Sequence, residues 1–449
     1  MRAAEAPREQ SAAAGTVMRE SALRFASTVV ILVVTQISGI IVARVLGAEG
    51  KGVQSILGLV STIALLPVDL GVSAASVYMV GRRRVDAQTL LSNLVSCSIV
   101  GGAVLVSLFA AGGSRLAELL FEGLHQGAVE LLAVGLPASL VGGWWIGILR
   151  GQNRLLTVVL IQLGGALCAA GALVVFLLGF GMEADGIAWS LNAGALATML
   201  ASGAALWSQG LRFAPRLAGG VLRETFGYGL RTQAGVVLQM VNYRFDLFVA
   251  NAVLGTAAAG VYAVAAGVTE LLLQVPNAFS FVLLSRGAAA ESADAAEMSV
   301  TVARISFTIS LAGAVVLVPV SFVLVPLVFG NEFSLAGWPI AGLAGGVVML
   351  SHYKVLATYL AARGKPECYS YAAALSAVVT LLLDLLLMPR WGIWGAAVAS
   401  SLAYSVAAIM TIIWFRRTAG VFSVASLFVP RRSDLDVVTS LMRRGRKSD

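Results

Sequence analysis

Charge is what this 449-residue chain has least of: Asp, Glu, Lys and Arg make up 12% of it, against about 25% in an ordinary soluble domain. Hydrophobic residues reach 58% and the mean hydropathy is +0.88. One water-soluble core cannot absorb so large an apolar share at this length, so a soluble globular protein is excluded and a polytopic membrane protein is indicated. Histidine occurs only as His125 and His352, and cysteine only as Cys97, Cys168 and Cys368, far apart and without paired spacing. That excludes a zinc cluster and a disulfide framework and leaves packing as the role of the thiols. Long polar loops are missing too, since no segment between apolar runs exceeds roughly 20 residues. There is therefore no room for a soluble catalytic domain, and no nucleophile elbow or phosphate-binding glycine loop occurs. No enzymatic activity, cofactor or metal is expected. The net charge of +8 sits in short segments between apolar runs, a membrane-protein pattern that points away from nucleic acid.

A helix needs roughly 20 apolar residues to cross the hydrocarbon. Cutting the chain at charges and Gly/Pro turns gives about twelve such segments: 23–44, 53–80, 88–112, 127–149, 155–180, 186–208, 226–250, 257–285, 301–329, 336–362, 367–388 and 391–415. Residues 114–126 are too polar to span and read as a short interfacial helix carrying His125. Residues 1–20 read as a disordered arm and not as a signal peptide, because the first apolar run is too long and ends in Arg44. Most Lys and Arg fall at one set of span ends, including Arg82–Arg84, Arg150, Arg154, Arg212, Arg216, Arg223 and the tail. The opposite ends hold only Arg44, Lys51, Arg115 and Arg390. The bias places both termini in the cytoplasm, as an even number of spans requires.

The segment VLGAEGKGV at 45–53 returns as VLGTAAAGV at 253–261, 208 residues later. Arg150-Gly151 likewise matches Arg363-Gly364, Gly186-Ile-Ala matches Gly395-Ala-Ala, and Arg82 matches Arg286. The expected fold is all-α and polytopic, with about twelve transmembrane helices in two pseudo-symmetric six-helix lobes related as a parallel repeat. The expected divisions are an arm (1–20), an N-lobe (21–208), a linker (209–225), a C-lobe (226–415) and a basic tail (416–449). Both copies of the glycine motif are expected to be tight external hairpins.

ARVLGAEGKGV followed by Asp69-Leu-Gly resembles the start of the polysaccharide-transport flippases. Tyr243-Arg-Phe-Asp, LGTAAAGVY and Pro276 resemble the start of their second half. These flippases belong to the multidrug/oligosaccharidyl-lipid/polysaccharide exporter superfamily, and the likeness covers residues 20–415. It implies export of lipid-linked oligosaccharide across the bacterial inner membrane by alternating access. Peptidoglycan-precursor flippases are similar but typically carry fourteen spans. A multidrug or cation antiporter of the same fold remains open, as does a membrane glycan polymerase or ligase. The buried basic residues favour an anionic headgroup over a cation.

Charges inside spans are expensive, so they are functional candidates, each against a bland alternative. Arg24 and Arg231, 207 apart, are expected to engage the substrate diphosphate through their guanidinium forks; the alternative is snorkelling at the headgroups. Arg244, its repeat mate Gln36, and Lys354 are expected to face the cleft; the alternative is internal salt bridging. Glu270 is the first choice for proton or sodium coupling, with Asp69 and Asp246 behind it. Asp69 also suits a backbone cap, and Asp384 reads as structural. Pro67 and Pro276 are expected hinges or simple curvature points. The basic tail suits anionic lipid or a partner polysaccharide polymerase or synthase.

Overall fold

The computed structural model describes residues 6–113, 115, 126–277, 279–280, 292–365, 367–420, 423–431 and 434, with side chains from Val29 onward. The expected interfacial helix at 114–126, His125 and Arg286 lie outside the described residues, as does most of the tail. The described chain is helical, with no strand among these residues. Its helices are α1 (Ala6–Asp69), α2 (Val72–Gly81), α3 (Ala87–Leu108), α4 (Gln126–Gly151), α5 (Leu155–Val174) and α6 (Ala184–Trp207). There follow α7 (Gly219–Leu254), α8 (Thr256–Glu270), α9 (Ser292–Phe329), α10 (Gly337–Ala362) and α11 (Glu367–Ala419). Eight helical stretches among the described residues are long and apolar enough to cross a membrane. Their outward faces carry large apolar side chains, such as Ile99, Leu160 and Val323. A chain that spends so many Leu, Ile and Val residues on its surface is shaped for lipid.

The chain forms two compact units. One comprises 19–237 with 255–260; the other comprises the residues before Arg19, 238–254 and 261–449. The division falls inside α7. Small residues let the helices approach closely within each unit. In the first, a Cβ on Gly135 of α4 would lie 2.1 Å from Asn192 Oδ1 of α6, and one on Gly147 would lie 2.7 Å from the Ser73 carbonyl of α2. In the second, a Cβ on Gly346 of α10 would lie 2.3 Å from Ser401 Cα of α11. Gly135 and Gly346 occupy equivalent places in the repeat.

The backbone repeats as the sequence does. Gly47 and Gly255, the first glycines of the two VLG copies, both have positive φ, 69° and 85°. Asn153 and Gly364 do as well, at 61° and 77°, and so do Gly181 and Gly392, at 65° and 60°. In the first unit the two copies touch each other reciprocally. A Cβ on Gly52 would lie 2.0 Å from the Thr256 carbonyl oxygen, and a Cβ on Gly260 would lie 2.0 Å from the Ala48 carbonyl oxygen. Ala48 and Thr256, like Gly52 and Gly260, are repeat mates, so the crossing carries its own approximate two-fold. The V-L-G…G-V pattern is thus a backbone-to-backbone contact in which only glycine fits.

The expected second span, 53–80, is not one helix. Leu70 and Gly71 have φ of 47° and 71° and separate α1 from α2. Pro67 lies inside the last turn of α1, so the break falls three residues later than the proline itself. Near the other proline, a short 3₁₀ turn at Leu271–Leu273 precedes Pro276. Proline leaves the carbonyl four residues back without its helical donor. That carbonyl, of Leu272, accepts from Ser310 Oγ at 3.4 Å.

Candidate functional site

The arginine-rich loops gather at one end of the first unit. The Arg216 backbone N–H donates to the Ser92 carbonyl, and Gln88 donates to the Arg212 carbonyl while accepting from its N–H. Gly81 at the end of α2 faces Gly151 at the end of α4. From this end α7 rises against α2. At Gly71 and Gly229 the two backbones meet, since a Cβ on Gly71 would lie 2.1 Å from the Gly229 carbonyl oxygen. Tyr78 and Tyr228 stack with ring centroids 4.2 Å apart at 7°. Arg84 Nη1 lies 2.9 Å from Glu224 Oε1, with its guanidinium 5.4 Å from the Tyr78 ring centroid. These residues, with Arg223 and Arg231, line a cavity of about 640 Å³. Arg231 was expected from the sequence to meet an anion; Arg84, Arg223 and the tyrosine pair were not. Arg24 lies on α1, with its side chain outside the described residues, and Gln36 on the same helix is half-buried.

A break at Leu70–Gly71 needs its freed polar groups satisfied. Asp69 does this: Oδ2 accepts from the Gly71 N–H at 3.2 Å, and Oδ1 from Ser73 Oγ and Trp144 Nε1, both at 2.8 Å. Gln233 of α7 donates to the Leu66 carbonyl at 2.9 Å. Asp69 therefore holds the α1–α2 corner through three donors.

In the second unit, Arg244 and Glu270 come together, Nη1 to Oε1 at 3.5 Å, and both remain partly exposed. Lys354 on α10 lies 5.6 Å from the ring centroid of Tyr243, close enough to Glu270 for their charges to interact. Two sites read separately in the sequence, an anion-binding Arg/Lys pair and a coupling carboxylate, thus form one cluster. A partly exposed ion pair contributes about 0–1 kcal/mol, so either member is readily released to another partner. His352 turns the other way. Its Nε2 lies 3.2 Å from the Leu427 carbonyl, and its ring packs between Phe307 and Phe428.

Asp246 is buried on the opposite side of α7 from Arg244, as a two-residue helical step requires. Its Oδ2 accepts from Tyr262 Oη at 2.6 Å and from Ser400 Oγ at 3.2 Å; its Oδ1 accepts from the Leu247 N–H at 2.7 Å. Asp384 of α11 is fully buried, and near enough to Asp246 for their charges to interact. Neither Asp384 oxygen has a hydrogen-bond partner among the described residues, nor does Thr380 Oγ1 one turn before it. Burying an unpaired carboxylate costs several kcal/mol, so the pair calls for a proton or a cation. The sequence signal for Asp384 was a lone acid inside an apolar run; its neighbour on α7 could not be seen from spacing alone.

The fold is that of known membrane transporters. A multidrug-resistance transporter of the MATE family in its inward-facing conformation aligns with a TM-score of 0.73, 16% identity, and coverage of 87% of this chain and 94% of that one. The Lipid II flippase MurJ in an inward closed conformation aligns with a TM-score of 0.74 and 12% identity, over 90% and 89%. A transporter of the MOP superfamily from Pyrococcus furiosus aligns with a TM-score of 0.65 and 14% identity, over 90% and 95%. The chain belongs to the polysaccharide biosynthesis protein family, whose pattern matches residues 41–336. A probable low-salt glycan biosynthesis flippase, Agl15 of Haloferax volcanii, is 33% identical over 84 residues. That match spans 19% of this chain and 18% of the relative's length.

Proposed function

We propose that the protein is a flippase that moves a polyprenyl-diphosphate-linked oligosaccharide, a unit of O-antigen, capsule or exopolysaccharide, across the bacterial inner membrane by alternating access. The observation that carries this reading is the match to the polysaccharide biosynthesis family over 41–336, on a fold shared with a Lipid II flippase. Similarity to transporters and flippases supports a non-enzymatic role over a glycan polymerase or ligase. Arg231, Arg244 and Lys354, with Arg24 and Gln36 on α1, are the substrate-facing groups in this reading, and basic charge within the helical body suits a diphosphate better than a drug cation. The lobes divide at 209–225, both termini face the cytoplasm, and Pro67 and Pro276 are the hinges. Glu270 answers to Arg244 and Lys354, while proton or sodium coupling centres on Asp246 together with Asp384. Asp69 acts on coupling through the corner it holds.

The test is a deletion strain. It is expected to accumulate lipid-linked oligosaccharide on the cytoplasmic leaflet and to lose surface glycan, with both effects reversed by the intact chain. Normal surface glycan and no accumulated intermediate in that strain would rule the reading out.

A further inference from the structure

The cavity between α2 and α7 at the arginine-rich end is lined by three guanidinium groups, Arg84, Arg223 and Arg231, and by one carboxylate, Glu224. Arg223, Gly227 and Arg231 follow one another at four-residue steps and so share a face of α7; Gly220, Glu224 and Tyr228 form the adjoining stripe. Both glycines leave the floor open, for a Cβ on Gly220 or Gly227 would meet nothing within 4 Å. The local balance is two positive charges, set against a wall of two stacked tyrosines.

We propose that this cavity is a recognition site for the diphosphate ester of the substrate lipid, and that Glu224 holds its place on Arg84 until the phosphates arrive. The inference rests on the flippase reading and deepens it. A diphosphate diester brings about two negative charges and oxygens that match guanidinium forks bidentately. Glu224 is a weak incumbent, because both members of its pair are about half exposed, at 54% and 43%. The arriving phosphate displaces it from Arg84, and the contact that ties the end of α2 to α7 is thereby exchanged for one made through substrate. Gly227 lets the phosphate approach the helix backbone between Arg223 and Arg231.

The experiment measures binding of a short-chain polyprenyl diphosphate, and of inorganic pyrophosphate, to the full chain in nanodiscs of zwitterionic lipid. Arg223→Ala and Arg231→Ala are expected to weaken the polyprenyl diphosphate at least tenfold. A Cβ at 227 meets no neighbour within 4 Å, so Gly227→Leu is expected to occupy the cavity and abolish binding while the thermal midpoint holds. Glu224→Gln, which removes the competing charge, is expected to tighten binding severalfold; a purely structural Arg84–Glu224 pair predicts no gain. Unchanged affinity in Gly227→Leu and Arg223→Ala overturns the proposal. So does displacement of the probe by phosphatidylglycerol nanodiscs, which would make the cavity a bulk-headgroup site, and so does binding of pyrophosphate but not the lipid diphosphate. If the deletion strain exports glycan normally while these variants still alter pyrophosphate binding, the function falls and the anion site stands. If export depends on the protein but not on Gly227 or Arg223, the function stands and this site falls.

Discussion

At the scale of single residues, Asp384 tests the coupling reading most directly. Its carboxylate is buried with neither oxygen hydrogen-bonded among the described residues, whereas Asp246 nearby has three donors. Removing a group that is costly to bury is expected to leave stability equal or higher, by about 1–3 kcal/mol. Asp384→Asn should therefore give an unchanged or raised thermal midpoint, yet make glycan transport in proteoliposomes insensitive to the imposed proton or sodium gradient. Transport that still responds fully to the gradient in this variant would remove Asp384 from coupling. Asp246→Asn behaves differently, because the amide cannot accept from Tyr262, Ser400 and the Leu247 N–H as the carboxylate does, and it should lower stability as well. Which residues mattered was only partly legible in the sequence. Lone charges inside apolar runs marked Arg244, Glu270, Asp246 and Lys354, but spacing along a chain says nothing about contacts across α7, α8, α10 and α11. For that reason the Arg244–Glu270 pair, the Tyr262–Asp246–Ser400 group and the buried, unpartnered Asp384 oxygens emerged only from the fold.

At the scale of elements, composition carried the helices well and their breaks badly. Apolar runs bounded by charge located α3, α4, α6 and α10 closely, because each run ends where polar residues can reach water. The split at Leu70–Gly71 was missed, since hydropathy continues through it and only the Asp69 turn and the Gly229 contact reveal it. The tail was read as a basic segment over 416–449; its first part packs as an element within the second unit. Arg304 Nε donates to Asp434 Oδ2 at 2.7 Å, its second terminal nitrogen donates to Oδ1, and Nη1 donates to the Ser426 carbonyl at 2.9 Å. The guanidinium holds the Asp434 carboxyl below its ordinary value. A depressed carboxyl stabilises the folded form above its unfolded value near pH 4, and that contribution is lost as pH falls through the lower folded value. Protection of the 423–431 amides, measured against their free-chain exchange rates, should thus be high at neutral pH and should be lost in strong acid. Arg304→Ala should lower it at pH 7, with breakage of the buried pair costing about 3–5 kcal/mol. Exchange already fast at pH 7 in the unaltered protein would show that this turn does not dock.

At the scale of the whole molecule, the glycine motif repeated at 208 residues sets the arrangement from which the proposed transport would proceed. From Gly47 to Asp69 is about 33 Å of helix, the thickness of a hydrocarbon core. At one end of that length the two copies of the motif interlock through Gly52 and Gly260; toward the other, α2 and α7 meet through Gly71–Gly229, Tyr78–Tyr228 and Arg84–Glu224. Both ends hold a backbone crossing at glycine, but only the α2–α7 end adds side-chain contacts beyond it. Backbone against backbone at a glycine crossing is lost abruptly when helices part, whereas stacked tyrosines and an exposed ion pair separate at small cost and re-form. Under the proposed alternating access, the second kind belongs at the end where substrate would enter, so α2 and α7 should part there, beyond Gly71–Gly229, in each cycle. A Tyr78→Cys/Tyr228→Cys protein, with Cys97, Cys168 and Cys368 replaced, tests this when joined by a short bifunctional methanethiosulfonate. Cross-linking is expected to stop glycan export and reduction to restore it, whereas an equally short cross-link within α2 should do neither. Full export with α2 and α7 covalently joined would mean that this contact is fixed scaffold and that the chain opens elsewhere.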